Sequence, residues 1–268
     1  MRVPSIRPLA IALLSTALLA GSSAFAQSRE AAPLSPAALE QAAQLRERAA
    51  QDGTAYALIE SLTTEIGPRL PGSEADARAV AWAKARFEAL GYDKVWTEPV
   101  TFPKWERRSE RAAVVGAHAQ PLVITALGGS PAGDVTAELV RFDSVAALEA
   151  ADPATLRGKL AFVDVPMART RDGSGYGSAG PVRGRGPSIA ARKGAAGYLM
   201  RSISTSPHRV ANTGITRFDA DVTPIPSAAL SLPDADQLAR LLTRGPVQVH
   251  LALDVGWNGE YTSQNVIG

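Results

Sequence analysis

At Lys94 the spacing of the apolar residues changes from three or four to two, and nothing else in the 268-residue chain constrains its fold so strongly. Helices are expected before that point and strands after it. Ser35 and Pro36 stand at the N-cap and first-turn positions of a helix over 37–51, with Gly53 just past its end. A second helix is expected over 55–65, with Tyr56, Ile59 and Leu62 near one face, stopping at Gly67-Pro68. The third is the best punctuated: Ser73 caps it, Asp76 completes a Ser-x-x-Asp capping box, and Gly91 closes it. Val80, Ala83, Phe87 and Leu90 form its expected buried stripe.

After Lys94, strands are expected at 95–98, 111–115, 122–127 and 136–142, followed by a short helix over 145–150. The apolar runs 160–163, 197–200 and 227–230 suit buried strands, and 247–255 suits a further one. Helices are expected over 187–194 and 234–243, with a glycine- and arginine-rich loop at 168–186. Strands alternating with helices make the fold class α/β, of mixed α+β character. Asn265-Val266-Ile267-Gly268 starts what reads as one more strand, and the expectation there is a chain cut short.

The first 26 residues read as a secretory signal peptide: Arg2 and Arg7, an apolar run over 9–21, and the small-x-small site Ala24-Phe25-Ala26. That run is too short for a membrane span of roughly 20 residues. A secreted or periplasmic protein is expected, with no membrane attachment after cleavage. Cysteine is absent from the chain, so apolar packing rather than disulfides must hold the fold. A net charge of +2 and few aromatic residues argue against a nucleic-acid partner.

The usual catalytic constellations are missing from this sequence. Three histidines, His118, His208 and His250, are scattered, and a zinc site needs three or four ligands. His250 and Asp254 share a strand face by period two, most simply as an exposed face. No serine lies in Gly-x-Ser-x-Gly, so a nucleophile elbow is absent. Gly175-Tyr176-Gly177-Ser178-Ala179-Gly180 has the glycine spacing of a dinucleotide fingerprint, but the nearest expected strand ends well upstream at Val163. A surface loop with several arginines describes it better.

Several blocks together nevertheless resemble a known family. They are Ile66-Gly67-Pro68-Arg69-Leu70-Pro71-Gly72-Ser73, Glu98-Pro99-Val100-Thr101-Phe102-Pro103, Thr125-Ala126-Leu127-Gly128-Gly129-Ser130, the loop 167–180, the region from Gly186-Pro187-Ser188 to Arg201-Ser202, and Asn265-Val266-Ile267-Gly268. The chain resembles the N-terminal part of secreted zinc-dependent exopeptidases of the carboxypeptidase Q (plasma glutamate carboxypeptidase) type. After the signal peptide at 1–26, the resemblance implies part of the peptidase domain at 27–118, an inserted β-rich protease-associated (PA) domain at 119–255, and a return to the peptidase domain at 256–268. It implies two zinc ions, peptide substrates and hydrolysis of terminal peptide bonds for a full-length parent. The family's zinc ligands and general base fall after Gly268, so no catalytic or metal-binding residue is assigned here and the chain alone is expected to be inactive. In the loop 167–185, Tyr176 and Arg183 are the candidate substrate-proximal residues, with Arg183 suited to a carboxylate. The alternative is a stand-alone PA-type module that binds proteins or peptides without catalysis.

Overall fold

The computed structural model describes residues 34–268, so the signal-peptide expectation lies outside the described residues. The first unit reaches Glu60 and carries helix α1 (Pro36–Gln51) and most of α2 (Thr54–Ser61). Ser35 caps α1 as its position suggests, its hydroxyl accepting the Ala38 N–H at 3.2 Å, with Pro36 in the first turn where its missing N–H costs nothing.

The second unit, from Ser61 onward, begins with a π-helical turn (Leu62–Ile66) that ends at Gly67, whose φ of 73° suits glycine. Helix α3 (Glu74–Ala89) follows, and its Ser73 cap accepts the Asp76 N–H at 3.2 Å. The stripe expected on α3 is only partly covered. Val80, Ala83 and Phe87 are half-buried, whereas Leu90 is 50% exposed, a correction to the buried stripe. Phe87 instead stacks on Tyr92 at 4.9 Å between ring centres.

An eight-stranded sheet organises this unit, in the order β2-β1-β8-β4-β5-β6-β7-β3. Its strands are β1 (Trp96–Val115), β2 (Gln120–Leu122), β3 (Ile124–Ala126), β4 (Gly133–Phe142), β5 (Leu160–Val163), β6 (Gly197–Arg201), β7 (Ser227–Leu230) and β8 (Gln248–Ile267). The β4-β5-β6-β7 section is parallel and the outer pairs are antiparallel. Helices α4 (Val145–Ala150), α5 (Pro153–Leu156), α6 (Ser174–Gly184), α7 (Gly186–Arg192) and α8 (Leu232–Leu242) complete the unit.

Alternation along the parallel strands supplies both faces of the sheet. Leu160, Phe162, Leu199 and Leu230 point into one core with Leu238 of α8, while Ala161, Val163, Tyr198 and Met200 point into a second with Leu148, Leu156, Val182 and Ile189. Burial on both sides is why these strands read as unbroken apolar runs.

Four expectations are corrected. Segments 95–98 and 111–115 are parts of one 20-residue strand, β1, because β8 pairs with it from Trp96↔Ile267 to Val115↔Gln248. For the same reason 247–255 and the closing Asn-Val-Ile belong to one strand, β8. Segment 122–127 is split, since Ala112–Val114 recruit β2 while Ile124–Ala126 pair with β7 at the opposite edge. Finally, the loop expected at 168–186 contains α6 and the start of α7: glycine-rich as it is, the segment becomes helical by burying Gly175, Ala179 and Val182. Packing overrides weak propensity there.

Asp234 ties α8 to the sheet. Its buried carboxylate accepts the Val123 N–H at 3.0 Å, the Ser231 hydroxyl at 2.6 Å and the Arg209 guanidinium at 2.8 Å. Burial alone would raise its pKa, but these donors outweigh it and hold the pKa below the ordinary 3.8. A depressed folded-state pKa contributes stability above the unfolded value, which is lost as pH falls through the folded one. Asp234→Asn is therefore expected to destabilise the protein at neutral pH, with the deficit shrinking below about pH 4. Denaturation midpoints measured across pH check this, and a deficit independent of pH would contradict it.

Candidate functional site

Between Pro103 and Trp105, and again between Arg107 and Ser109, the register of β1 against β8 shifts. Such irregularities bend a ribbon and re-aim its side chains. Here the bent stretch presents Phe102, Pro103, Trp105 and Arg107 to a cleft of about 430 Å3. Leu70-Pro71 ahead of α3, Gly128-Gly129 after β3, Thr213-Gly214-Ile215 between β6 and β7, and Trp257 of β8 complete its lining. Three blocks far apart in sequence, those containing Leu70-Pro71, Phe102-Pro103 and Gly128-Gly129, thus meet at one place.

Trp105 is the anchor of this wall. It is 8% exposed, and its indole Nε1 donates to the Ser130 carbonyl at 3.0 Å. The Arg107 guanidinium lies 4.9 Å from the centre of the Trp105 ring and donates to the Ala126 carbonyl at 2.9 Å. Its Nε sits 3.6 Å from Glu110 Oε2 as an ion pair without a hydrogen bond. Glu110 is held in turn by the Ala126 N–H.

The opposite wall is backbone. Gly128 donates to the Gly214 carbonyl at 3.0 Å and accepts the Thr216 N–H at 2.8 Å, a short bridge that closes 213–216 over the end of β3. Gly129 turns the chain with φ at 87°, and a β-carbon there would fall 2.7 Å from the Thr216 oxygen. Only glycine suits that turn. At the mouth Trp257 and Ile215 are 58% and 56% exposed.

Tyr176 and Arg183, the two residues singled out from sequence, are brought together on α6. Arg183 Nη1 donates to the Tyr176 hydroxyl at 2.7 Å, with the guanidinium 5.6 Å from the ring centre. Arg183 also abuts the cleft lining: a β-carbon on Gly214 would lie 2.7 Å from its guanidinium carbon. The Thr216 hydroxyl donates to the Arg183 carbonyl at 3.0 Å, linking α6 to the same backbone wall. Trp105, Gly214, Ile215 and Trp257 were not anticipated as site residues. Tryptophan in a polar strand was the available signal for two of them.

The histidines take no part. His250 pairs with Asp134 across β8 and β4 at 2.8 Å, while Asp254 pairs with Arg108 at 2.7 Å, so the shared face of His250 and Asp254 forms no site. His118 and His208 are exposed elsewhere. Among the described residues no three His, Cys, Asp or Glu side chains gather so as to hold a metal ion. The glycine pattern at 175–180 belongs to α6 rather than to a phosphate-binding turn, and Gly175 is needed because a β-carbon would meet the Ala168 carbonyl oxygen at 2.0 Å. Its walls of Leu, Pro, Phe, Trp, Ile and backbone, with Arg107 and Thr213 as the polar side chains, equip the cleft to bind a ligand.

No family model matches the chain. It is 31% identical to carboxypeptidase Q of Xenopus laevis over 208 residues, which are 75% of this chain and 42% of that protein. The crystal structure of a peptidase M28 precursor from Shewanella amazonensis SB2B is 46% identical and superposes with a TM-score of 0.79, over 85% of this chain and 52% of that one. BSAP, a zinc aminopeptidase from Bacillus subtilis, is 20% identical with a TM-score of 0.52 over 79% of this chain and 45% of its own, and shares the fold alone. By sequence and by fold, this chain is similar to carboxypeptidase Q and to the M28 peptidase precursor over most of its own length and about half of theirs.

Proposed function

We propose that this chain is the substrate-facing, metal-free portion of an exported zinc metallo-exopeptidase that removes terminal residues from peptides. The observation that carries this reading is the meeting of three family-like sequence blocks in one cleft. Similarity to proteins about twice as long supports it. The residues present do not fit zinc: His250 is engaged by Asp134, and no triad of ligands exists among the described residues. The two metal ions and the general base are therefore assigned to a part of the protein outside this sequence, and the role given to the residues here is to bind and orient a peptide.

The proposal includes the domain division. The two ends of the β1–β8 ribbon behave differently. Residues 96–103 pair only with 260–267, whereas the other end joins the sheet through β2 and β4. The register shifts between them support an inserted PA-type domain whose junctions lie near Trp105–Ser109 and Asp254–Trp257, the first upstream of the start of the 119–255 division expected from the sequence and the second at its end. Export belongs to the same proposal, with cleavage after Ala26.

The test has two arms. Purified alone, the chain is expected neither to bind zinc stoichiometrically in calorimetry nor to hydrolyse dipeptides, and its exported form is expected to begin at Gln27 by intact mass. Joined to the complementary part of the Shewanella peptidase, it is expected to give hydrolysis that a chelator abolishes. Micromolar zinc binding by the chain alone would overturn the assignment. A joined protein without peptidase activity would favour the stand-alone binding module.

A further inference from the structure

Arg201, the last residue of β6, is 8% exposed. Its Nε donates to Asp164 and its Nη2 to Asp236, both at 2.7 Å, whereas Nη1 has no hydrogen-bond partner among the described residues and is not sealed from solvent. Arg201 lines a pocket of about 400 Å3 together with Thr205 and, from α8, Leu232, Pro233, Asp236 and Arg240. Asp236 and Arg240 stand one turn apart, a spacing that suits an ion pair. Among the described residues, however, Arg240 pairs with no acid and Asp236 Oδ2 accepts no hydrogen bond. The pocket thus offers two guanidinium groups and one carboxylate with unused hydrogen-bonding positions. It is separate from the cleft described above, which lies at the amino end of β7, where the Leu127 N–H donates to the Ser227 carbonyl at 2.9 Å. The pocket opens instead at the carboxyl ends of β6 and β7. There the helices change sides: α4 to α7 pack on the face of Tyr198, and α8 packs on the face of Leu199. Open parallel sheets hold ligands outside the carboxyl ends of their strands at such a switch.

We propose that this pocket binds a free α-amino acid with an apolar side chain, its carboxylate on Arg201 and Arg240 and its ammonium on Asp236. The placing of the charges selects that class. Arg201 and Asp236 touch each other, so a ligand that satisfies both must carry its own two charges close together. A free amino acid does so, and an extended peptide does not. A plain carboxylate would face Asp236 as a like charge, and a plain ammonium would face two guanidinium groups. Leu232 and Pro233 offer an apolar surface to the side chain, and the Thr205 hydroxyl is a further donor for the carboxylate. Asp164 and Asp236 already fix the Arg201 guanidinium, so less side-chain freedom is lost on binding. The site goes beyond the peptidase reading and does not depend on it.

The test is calorimetric titration of the intact chain, at two temperatures, with L-leucine, N-acetyl-leucine, leucinamide and glycyl-leucine. Leucine is expected to saturate with a Kd at or below about 1 mM. The other compounds each lack one charge or hold the two apart, and should bind about tenfold more weakly. Arg240→Gln should weaken leucine about tenfold and leave leucinamide unchanged, while Asp236→Asn should weaken leucine about tenfold and leave N-acetyl-leucine unchanged. Because Arg240 pairs with no acid among the described residues, its replacement keeps the Asp164–Arg201–Asp236 chain and should leave the denaturation midpoint where it was. No saturable heat with leucine at either temperature, equal affinity for leucine and its analogues, or indifference of leucine to Arg240→Gln would each overturn the site.

Discussion

Replacing Asp164 with alanine is expected to destabilise the second unit by about 3–5 kcal/mol, the range for breaking a buried ion pair from one side. Asp164 follows β5 directly, with its side chain almost wholly buried. Oδ2 accepts from Arg141 Nε and Oδ1 from Arg201 Nε, both at 2.7 Å, while its own N–H donates to the Phe142 carbonyl at 2.8 Å. One carboxylate thereby ties together the ends of β4, β5 and β6, three adjacent strands of the parallel section. The buried Arg201 would keep only Asp236, which is half exposed and screened by water. Arg141 opens to solvent and can rehydrate, so the cost concentrates on Arg201. Asp164→Asn retains an acceptor without the charge and should cost less than alanine. Denaturant midpoints at constant slope measure both. A loss under about 1 kcal/mol for alanine would mean that Arg201 escapes to water and that the strand ends are held by packing alone.

What could be read from the sequence was local or doubly buried. The caps Ser35 and Ser73 were legible because a cap is a relation among four consecutive residues. β5, β6 and β7 were legible because they are buried on both faces and leave no polar interruption. The long ribbon was not. Pro99, Pro103 and the charged stretch 104–111 break the alternation of β1, and the strand persists only because β8 pairs with it from more than a hundred residues away. Helix α6 was hidden for a related reason: its glycines and Pro181 argue against a helix, and the burial of Ala179 and Val182 that outweighs them is tertiary. The cleft shared both difficulties. Its blocks could be recognised one by one, but their meeting depends on the β1–β8 pairing and on the Gly128–Ile215 bridge, neither of which has a local signature. Tyr176 and Arg183 were chosen for composition in a supposed loop. A helix joins them instead, since seven residues are two turns and bring both to one face.

Trp105→Ala is expected to cost about 3–5 kcal/mol and to open the inner apolar wall of the cleft. The indole is the largest side chain lining the inner wall, and its removal leaves a cavity flanked by rigid backbone at Gly128-Gly129 that cannot collapse into it. The Ser130 carbonyl would lose its donor in a region closed to water. Ser130 also takes the Ser227 N–H on its hydroxyl at 2.9 Å, so a loosened turn would propagate to β7. Arg107 would lose the ring beneath its guanidinium, adding a smaller cation–π loss. Trp105→Phe separates these effects. Phenylalanine keeps most of the apolar wall but leaves the Ser130 carbonyl unpaired, so it should cost less than alanine. Denaturant midpoints of the two variants, measured in parallel, decide the matter. Should alanine and phenylalanine cost the same, the loss comes from the unpaired Ser130 carbonyl and not from the apolar wall.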